Sequence, residues 1–217
     1  MTRRPRLLTT ATAGVTAALL LAGCGGGGDS KSNDKIAGAD TGASASPSVS
    51  ASASEAAGRP KLDMPSDLSY AFDWPQTGNA DKDVVLADSE QSVKAVDLAI
   101  VHQNALDKAY IYYYEGEAAA GTQKFIQNYV DHKASITGAY RFYSPDVSVS
   151  KDGTASLSYC EDQGKAFVKY LKTNEIRKTK VTAKSYVSYH TSLKQNTKGV
   201  WVIEKIISQV GSAECQP

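Results

Sequence analysis

Apolar residues recur at steps of three or four over residues 88–119, and this spacing predicts one long amphipathic helix. The apolar stripe consists of Val93, Val96, Ile100, Leu106, Tyr110 and Tyr113. Asp88 or Ser89 is the expected N-cap of this helix. Thr122 is the expected cap of a second helix, which ends near His132. Two helices are therefore predicted ahead of the main sheet.

The apolar period changes to two from residue 139 onward, which predicts β-strands. The Lys-Asp-Gly stretch at 151–153 is a turn signal and predicts a hairpin. A second turn is predicted at 161–164. The clearest strands are 181–193 and 200–210, so the sheet is expected to be built on a C-terminal hairpin.

Further apolar residues indicate how the edges and faces of this sheet are covered. Tyr70, Phe72 and Trp74 alternate with small or polar residues, which predicts an extended segment that closes one edge. The last strand is apolar on both sides, with Val200, Val202 and Ile206 on one and Trp201, Ile203 and Ile207 on the other. One face is expected to meet the helices, and the other is a candidate homodimer surface.

The N-terminal region has the outline of a signal peptide. Three arginines precede a run of 15 Leu, Ala, Val, Thr and Gly residues at 7–21. Leu21-Ala22-Gly23-Cys24 follows and resembles the bacterial lipobox. The resemblance implies that residues 1–23 are removed and that Cys24 carries a diacylglyceryl group, whose two chains attach a protein stably to a bilayer. The alternatives are an ordinary secretory signal with an incidental cysteine and an uncleaved membrane span.

Residues 24–66 are rich in Gly, Ser and Ala and contain almost no large apolar residue. Nothing in such a segment offsets the entropy of ordering, so a disordered tether is predicted. Residues 67–217 are predicted to form one folded domain. The expected location is the cell membrane, with the domain on its extracytoplasmic side.

The net charge and its distribution along the chain limit the classes of partner that the protein is expected to bind. From Cys24 onward the chain has 21 basic and 23 acidic residues, a net charge of −2, which argues against a nucleic-acid-binding function. Residues 67–138 carry a net charge of −6 and residues 139–217 one of +5. Solvated faces explain this polarity, and orientation over an anionic membrane or wall polymer is the alternative.

The order of the predicted elements resembles the NTF2-like fold, a cone shared with ketosteroid isomerase-like and polyketide cyclase-like proteins. Residues 85–216 also resemble the domain of small actinobacterial lipoproteins. The similar patches are Tyr-Cys-Glu-Asp at 159–162, Gly-Val-Trp-Val-Ile at 199–203, and Cys215. The expected fold class is α+β, with two helices packed on a curved antiparallel sheet.

Cys160 and Cys215 are the candidate pair for a disulfide, because the first ends a predicted strand and the second follows the last strand. The alternatives are two free buried thiols and a metal site. A metal site would need a nearby cluster of histidine and cysteine residues, which this stretch lacks. We expect no metal and no cofactor.

No catalytic constellation is evident among the titratable residues. Asp97, Asp107, Glu115 and Glu117 fall in a helix that needs a solvated face, so each is expected at the surface. His102, His132 and His190 lie on separate elements. The candidate pocket-lining residues are Tyr110, Tyr113, Tyr189 and Trp201; for Tyr110, Tyr113 and Trp201, packing in the core is the alternative.

These observations favour a non-catalytic, lipid-anchored envelope protein that binds a small apolar ligand or a protein partner. One alternative is a cone enzyme of isomerase or cyclase type, which requires an inward carboxylate in an open pocket. The other is a structural subunit of a membrane complex, which requires a broad apolar patch on the outer face of the sheet.

Lipidation of Cys24 is testable by fractionation. We predict that Cys24→Ser releases the protein from membranes into the soluble fraction, because the thiol that accepts the lipid is missing. If a variant cleaved by signal peptidase still sediments with membranes, the lipidation hypothesis is wrong.

Overall fold

The computed structural model describes residues 58–217; the predicted signal peptide, Cys24 and most of the predicted tether lie outside the described residues. The elements are β1 (Leu68–Phe72), α1 (Ala80–Val101), α2 (Lys108–Tyr113), α3 (Gly116–Asp131), β2 (Ala134–Val149), β3 (Thr154–Tyr170), β4 (Glu175–Arg177), β5 (Tyr186–Gln195) and β6 (Trp201–Val210). The predicted α+β class is confirmed. No helix within residues 58–217 is both long and apolar enough to span a bilayer.

The strands form one mixed sheet in the order β1-β2-β3-β5-β6, with β4 beside the end of β3. Strand β1 pairs with β2 in parallel, and all other pairs are antiparallel, so the expectation of a purely antiparallel sheet is wrong. The extended segment around Tyr70 is confirmed as an edge strand. Irregularities in the β2–β3 and β5–β6 pairings bend the strands, which curves the sheet around its helix-facing side.

The helices differ from the prediction in number and in bounds. Helix α1 begins eight residues before Asp88, and Asn79 is its N-cap, accepting hydrogen bonds from the amides of Asp81 and Lys82 at 3.0 and 3.1 Å. The helix ends at Val101, so the predicted long helix is divided among α1, α2 and the first turn of α3, whose remainder is the predicted second helix. Thr122 lies inside α3 and caps nothing. Helix α1 buries residues on several of its sides, so its apolar residues do not form one clear stripe. For this reason the apolar spacing did not indicate where the helix begins.

Two strand predictions also need correction. Residues 161–164 form no turn, because β3 continues through them to Tyr170. In β6 the regular alternation of side chains between the two faces is interrupted once by an irregular pairing. Leu193 pairs with Ile203, whereas its neighbour Ser192 pairs with Lys205. Trp201, Ile203 and Ile206 therefore share the helix-facing side, which the strict alternation had divided between two faces.

The folded region begins before the predicted boundary at residue 67. Arg59 donates two hydrogen bonds to the buried carboxylate of Asp88, from Nε to Oδ1 at 2.7 Å and from a terminal nitrogen to Oδ2 at 2.9 Å. The backbone amide of Trp201 donates to the same Oδ2 at 2.9 Å. Leu62 and Met64 pack against the core. The last part of the predicted tether thus belongs to the domain.

The predicted disulfide between Cys160 and Cys215 is confirmed, with the two Cα atoms 5.4 Å apart. Cys160 lies on the face of β3 opposite Tyr159 and Glu161. The bond therefore holds the C-terminal tail against the outer face of the sheet. The hydroxyl of Tyr143 donates to the carbonyl of Cys215 and holds the same tail.

Candidate functional site

A cavity of about 480 Å³ lies between helices α1 and α3 and the curved face of the sheet. Its walls include Val93, Val96 and Asp97 from α1, Phe125 and Tyr129 from α3, and Tyr140, Phe142, Tyr159, Glu161, Tyr189 and Ile206 from the sheet. Phe125 and Val210, which are 51% and 63% exposed, mark its rim. The cavity is open to solvent there and mostly apolar inside.

Aromatic side chains form a continuous row across the inner face of the sheet. The rings of Phe72 and Phe142 stack with centroids 4.7 Å apart, and those of Tyr159 and Tyr189 stack at 5.0 Å. Phe142 meets Tyr159 edge to face at 6.1 Å. The strand register explains this row, because Phe72 and Phe142 are direct partners, as are Tyr159 and Tyr189. The cavity therefore offers flat aromatic surfaces to a ligand.

Asp97 projects from α1 into the cavity, where the hydroxyl of Tyr70 donates to its Oδ2 at 2.8 Å. Burial raises the pKa of Asp97 to about 8, the hydrogen bond from Tyr70 opposes the rise, and the charge of Glu161 adds to it. The prediction that Asp97 lies on the solvated surface is wrong. Helix α1 packs on several sides, so a polar position in it need not face bulk water.

Glu161 is the second inward carboxylate and is 5% exposed. The hydroxyl of Tyr189 and the amide of Gln163 both donate to its Oε2, at 2.8 and 2.7 Å. Burial raises the pKa of Glu161 despite these two hydrogen bonds. This residue was not predicted as part of the site, because its polar neighbours resemble a turn. The signal that could have found it is the two-residue period from Leu157 through Tyr159 to Glu161.

Two carboxyl groups with raised pKa values lie in this cavity. Asp97 is mostly protonated at pH 7, since its pKa is about 8, and in that form it can donate a hydrogen bond to a ligand. Its ionised form is a base of moderate strength. Groups of this kind concentrate at functional sites because a stable core gains nothing from them.

The other predicted site residues lie in several places. Tyr189 is in the cavity wall, whereas Tyr110, Tyr113 and Trp201 are buried in the core and are not among the residues that line this cavity. Glu115 and Glu117 are exposed, as predicted.

Asp107 and the three histidines are also outside the cavity wall. Asp107 caps α2 and contacts Nδ1 of His102 at 2.8 Å. His132 contacts the carbonyl of Asn128, and His190 is exposed on the outer face of the sheet. Within residues 58–217 no group of three His, Cys, Asp or Glu residues is arranged to hold a metal ion.

Comparisons with known proteins give a likeness of backbone layout. No protein-family model and no curated protein matches the chain. A ketosteroid isomerase-like protein from Erwinia carotovora atroseptica is similar over 62% of this chain and 98% of its own, with 14% identity and a TM-score of 0.41. An NTF-2 like protein of unknown function from Shewanella oneidensis is similar over 57% of this chain and 98% of its own, with 14% identity and a TM-score of 0.36.

The intermembrane space region of the chloroplast protein ARC6 is similar over 61% of this chain and 98% of its own, with 12% identity and a TM-score of 0.39.

The raised pKa of Asp97 predicts how stability depends on pH. The unfolded chain loses this proton near pH 3.9 and the folded chain near pH 8, so the folded state binds more protons in between. The contribution of Asp97 to the free energy of unfolding should therefore decrease as the pH rises from about 4 to about 8, by at most about 1.4 kcal/mol per pH unit.

Asp97→Asn removes this dependence, so the variant should gain stability relative to the unmodified protein as the pH rises through that window. Urea denaturation at several pH values measures the difference. Asp131→Asn, at an exposed position in α3, is the matched control and should show no such trend. A difference for Asp97→Asn that stays constant from pH 5 to 8 would mean that the buried carboxyl titrates normally.

Proposed function

We propose that this protein is a lipid-anchored extracytoplasmic binding protein that holds one small, mostly apolar ligand between its helices and its sheet. The observation that carries the proposal is the cavity of about 480 Å³ with aromatic walls and two inward carboxyl groups. Ligand sites of proteins have about this size, and they combine apolar walls with a few convergent polar groups.

The polar groups of the cavity suit a ligand with a hydroxyl or carbonyl substituent. The protonated form of Asp97 donates a hydrogen bond, and Glu161 offers an acceptor whose position is fixed by Tyr189 and Gln163. A ring or chain lying among the stacked tyrosine and phenylalanine rings gains dispersion and burial energy. One end of such a ligand is thereby oriented toward the carboxyl groups.

The location rests on the sequence around Cys24, which has a signal-like segment before it and a flexible composition after it. Since the folded domain extends back to Arg59, the tether of the proposed mature protein is about 34 residues long.

A second candidate function is acid–base catalysis, and Asp97 is the observation that favours it. An inward carboxylate in an open pocket is the feature that the enzyme hypothesis required, and its pKa of about 8 suits proton abstraction next to a carbonyl group. The structural-subunit hypothesis receives less support. Its expected apolar patch is replaced on the outer face of the sheet by polar residues, among them Ser148, Ser156, Ser158, His190 and Ser192.

Ligand binding is testable with N-phenyl-1-naphthylamine, a neutral aromatic probe whose fluorescence rises in apolar sites. The full-length chain carrying Cys24→Ser should bind the probe. Ser208→Phe should abolish this binding, because Ser208 lines the cavity at an exposed position of β6 and the added ring would fill the space. Gln209→Phe adds the same ring to the opposite face and should bind normally. Equal binding by both variants would place the probe elsewhere and contradict the proposal.

Catalysis is separated from simple binding by hydrogen exchange in D2O. A catalytic Asp97 should accelerate deuterium incorporation next to the carbonyl of 2-tetralone, an aromatic ketone with acidic C–H bonds, as followed by NMR. Asp97→Asn should then remove the acceleration by a factor of about 100 or more while the naphthylamine probe still binds. Identical exchange rates with both proteins would leave binding as the function.

A further inference from the structure

A second groove, with a volume of about 360 Å³, adjoins the cavity. The two spaces share four wall residues: Tyr129, Ile136, Tyr140 and Gln163. The cavity and the groove are therefore adjacent at these four side chains. The groove is open to solvent, so it suits the end of a ligand that stays hydrated.

The far wall of this groove is basic. Arg177, Lys180 and Lys184 line it together with the hydroxyl-bearing residues Thr179, Thr182 and Ser185. None of the three cations forms an ion pair with another residue in the described range 58–217. Their charge therefore remains available to an anion from solution.

Local structure positions this basic wall. Strand β4, which ends at Arg177, pairs with the end of β3. Further along, Val181 packs so closely over Gly164 that a Cβ at that glycine would lie 3.1 Å from a methyl group of the valine. Thr182 and Ser185 form a capping box around the short turn that contains Lys184. The three cations are thus carried by a segment that is fixed to the sheet at several points.

We propose that the ligand is an amphipathic anion, whose apolar part occupies the cavity and whose carboxylate, sulfonate or phosphate lies against Arg177, Lys180 and Lys184. This inference rests on the proposed ligand-binding function and names the class of ligand. The charges of the site fix the orientation. The inner end holds Asp97 and Glu161 and offers an anion no cation, whereas the basic wall attracts the anion at the outer end.

Two related fluorescent probes test the proposal in the full-length chain carrying Cys24→Ser. 1-Anilinonaphthalene-8-sulfonate has the ring system of N-phenyl-1-naphthylamine plus one sulfonate. The combined variant Arg177→Gln, Lys180→Gln and Lys184→Gln should weaken binding of the sulfonate about tenfold or more, because charge-assisted contacts are lost. Binding of the neutral probe should not change.

A matched variant controls for net charge. Lys151→Gln, Lys194→Gln and Lys205→Gln remove the same three charges at exposed positions outside the groove and should leave both affinities unchanged. Ser208→Phe should abolish binding of both probes, which ties the sulfonate to the cavity rather than to the basic surface alone.

The outcomes separate this inference from the proposed function. If the neutral probe does not bind, or binds equally to Ser208→Phe, the ligand-binding function fails and the inference fails with it. If the neutral probe binds in the cavity but the groove variant keeps full affinity for the sulfonate, only the inference is wrong. Binding to vesicles of phosphatidylglycerol is measured as an additional test. If the groove variant loses binding to them while its affinity for the sulfonate stays intact, the basic wall contacts a membrane surface, and the inference is again overturned.

Discussion

Two carboxylates of helix α1 connect the opposite edges of the sheet, and the cavity depends on this connection. Asp88 accepts the backbone amide of Trp201 at the start of β6, and Asp97 accepts the hydroxyl of Tyr70 in β1. The two residues are nine positions apart, which is about half a turn beyond two full turns, so they point to opposite sides of the helix. Because β1 and β6 are the two ends of the strand order, α1 lies across the concave face of the sheet from one edge strand to the other.

The two connections differ in how the negative charge is accommodated. Asp88 is 1% exposed and receives a bidentate contact from Arg59, so its charge is compensated and the N-terminal segment is held in place with it. Asp97 has a single neutral donor and a raised pKa, so its charge is poorly compensated. The first carboxylate thus stabilises the architecture, whereas the second costs stability as the pH rises and gives the cavity a titratable group with a raised pKa.

Much of the sheet was predictable from the sequence, whereas Tyr189 was the one predicted pocket residue that lies in the cavity wall. The turn at 151–153, the edge segment around Tyr70 and the disulfide follow from local signals, which neighbouring elements do not override. The inward position of Asp97 depends on which elements surround α1, and no local pattern records that. Glu161 was missed because the polar residues that follow it resemble a turn, although the two-residue period of Leu157 and Tyr159 continues to it along β3. The change of face within β6 depends on one irregularity in pairing, which strict alternation cannot anticipate.

The protonation of Asp97 connects the two proposed functions, ligand binding and acid–base catalysis. An apolar ligand that displaces water from around the carboxyl group removes solvation from its charged form, so binding raises its pKa further and favours uptake of a proton. A ligand that donates a hydrogen bond to the carboxylate has the opposite effect and stabilises the base. Under the two proposed functions, the site would act as a proton-linked binding pocket for a ligand without acidic C–H bonds and as a general base for a ligand that places such a bond beside Asp97. The chemistry that results depends on the ligand, because the protein supplies the same carboxyl group in both cases.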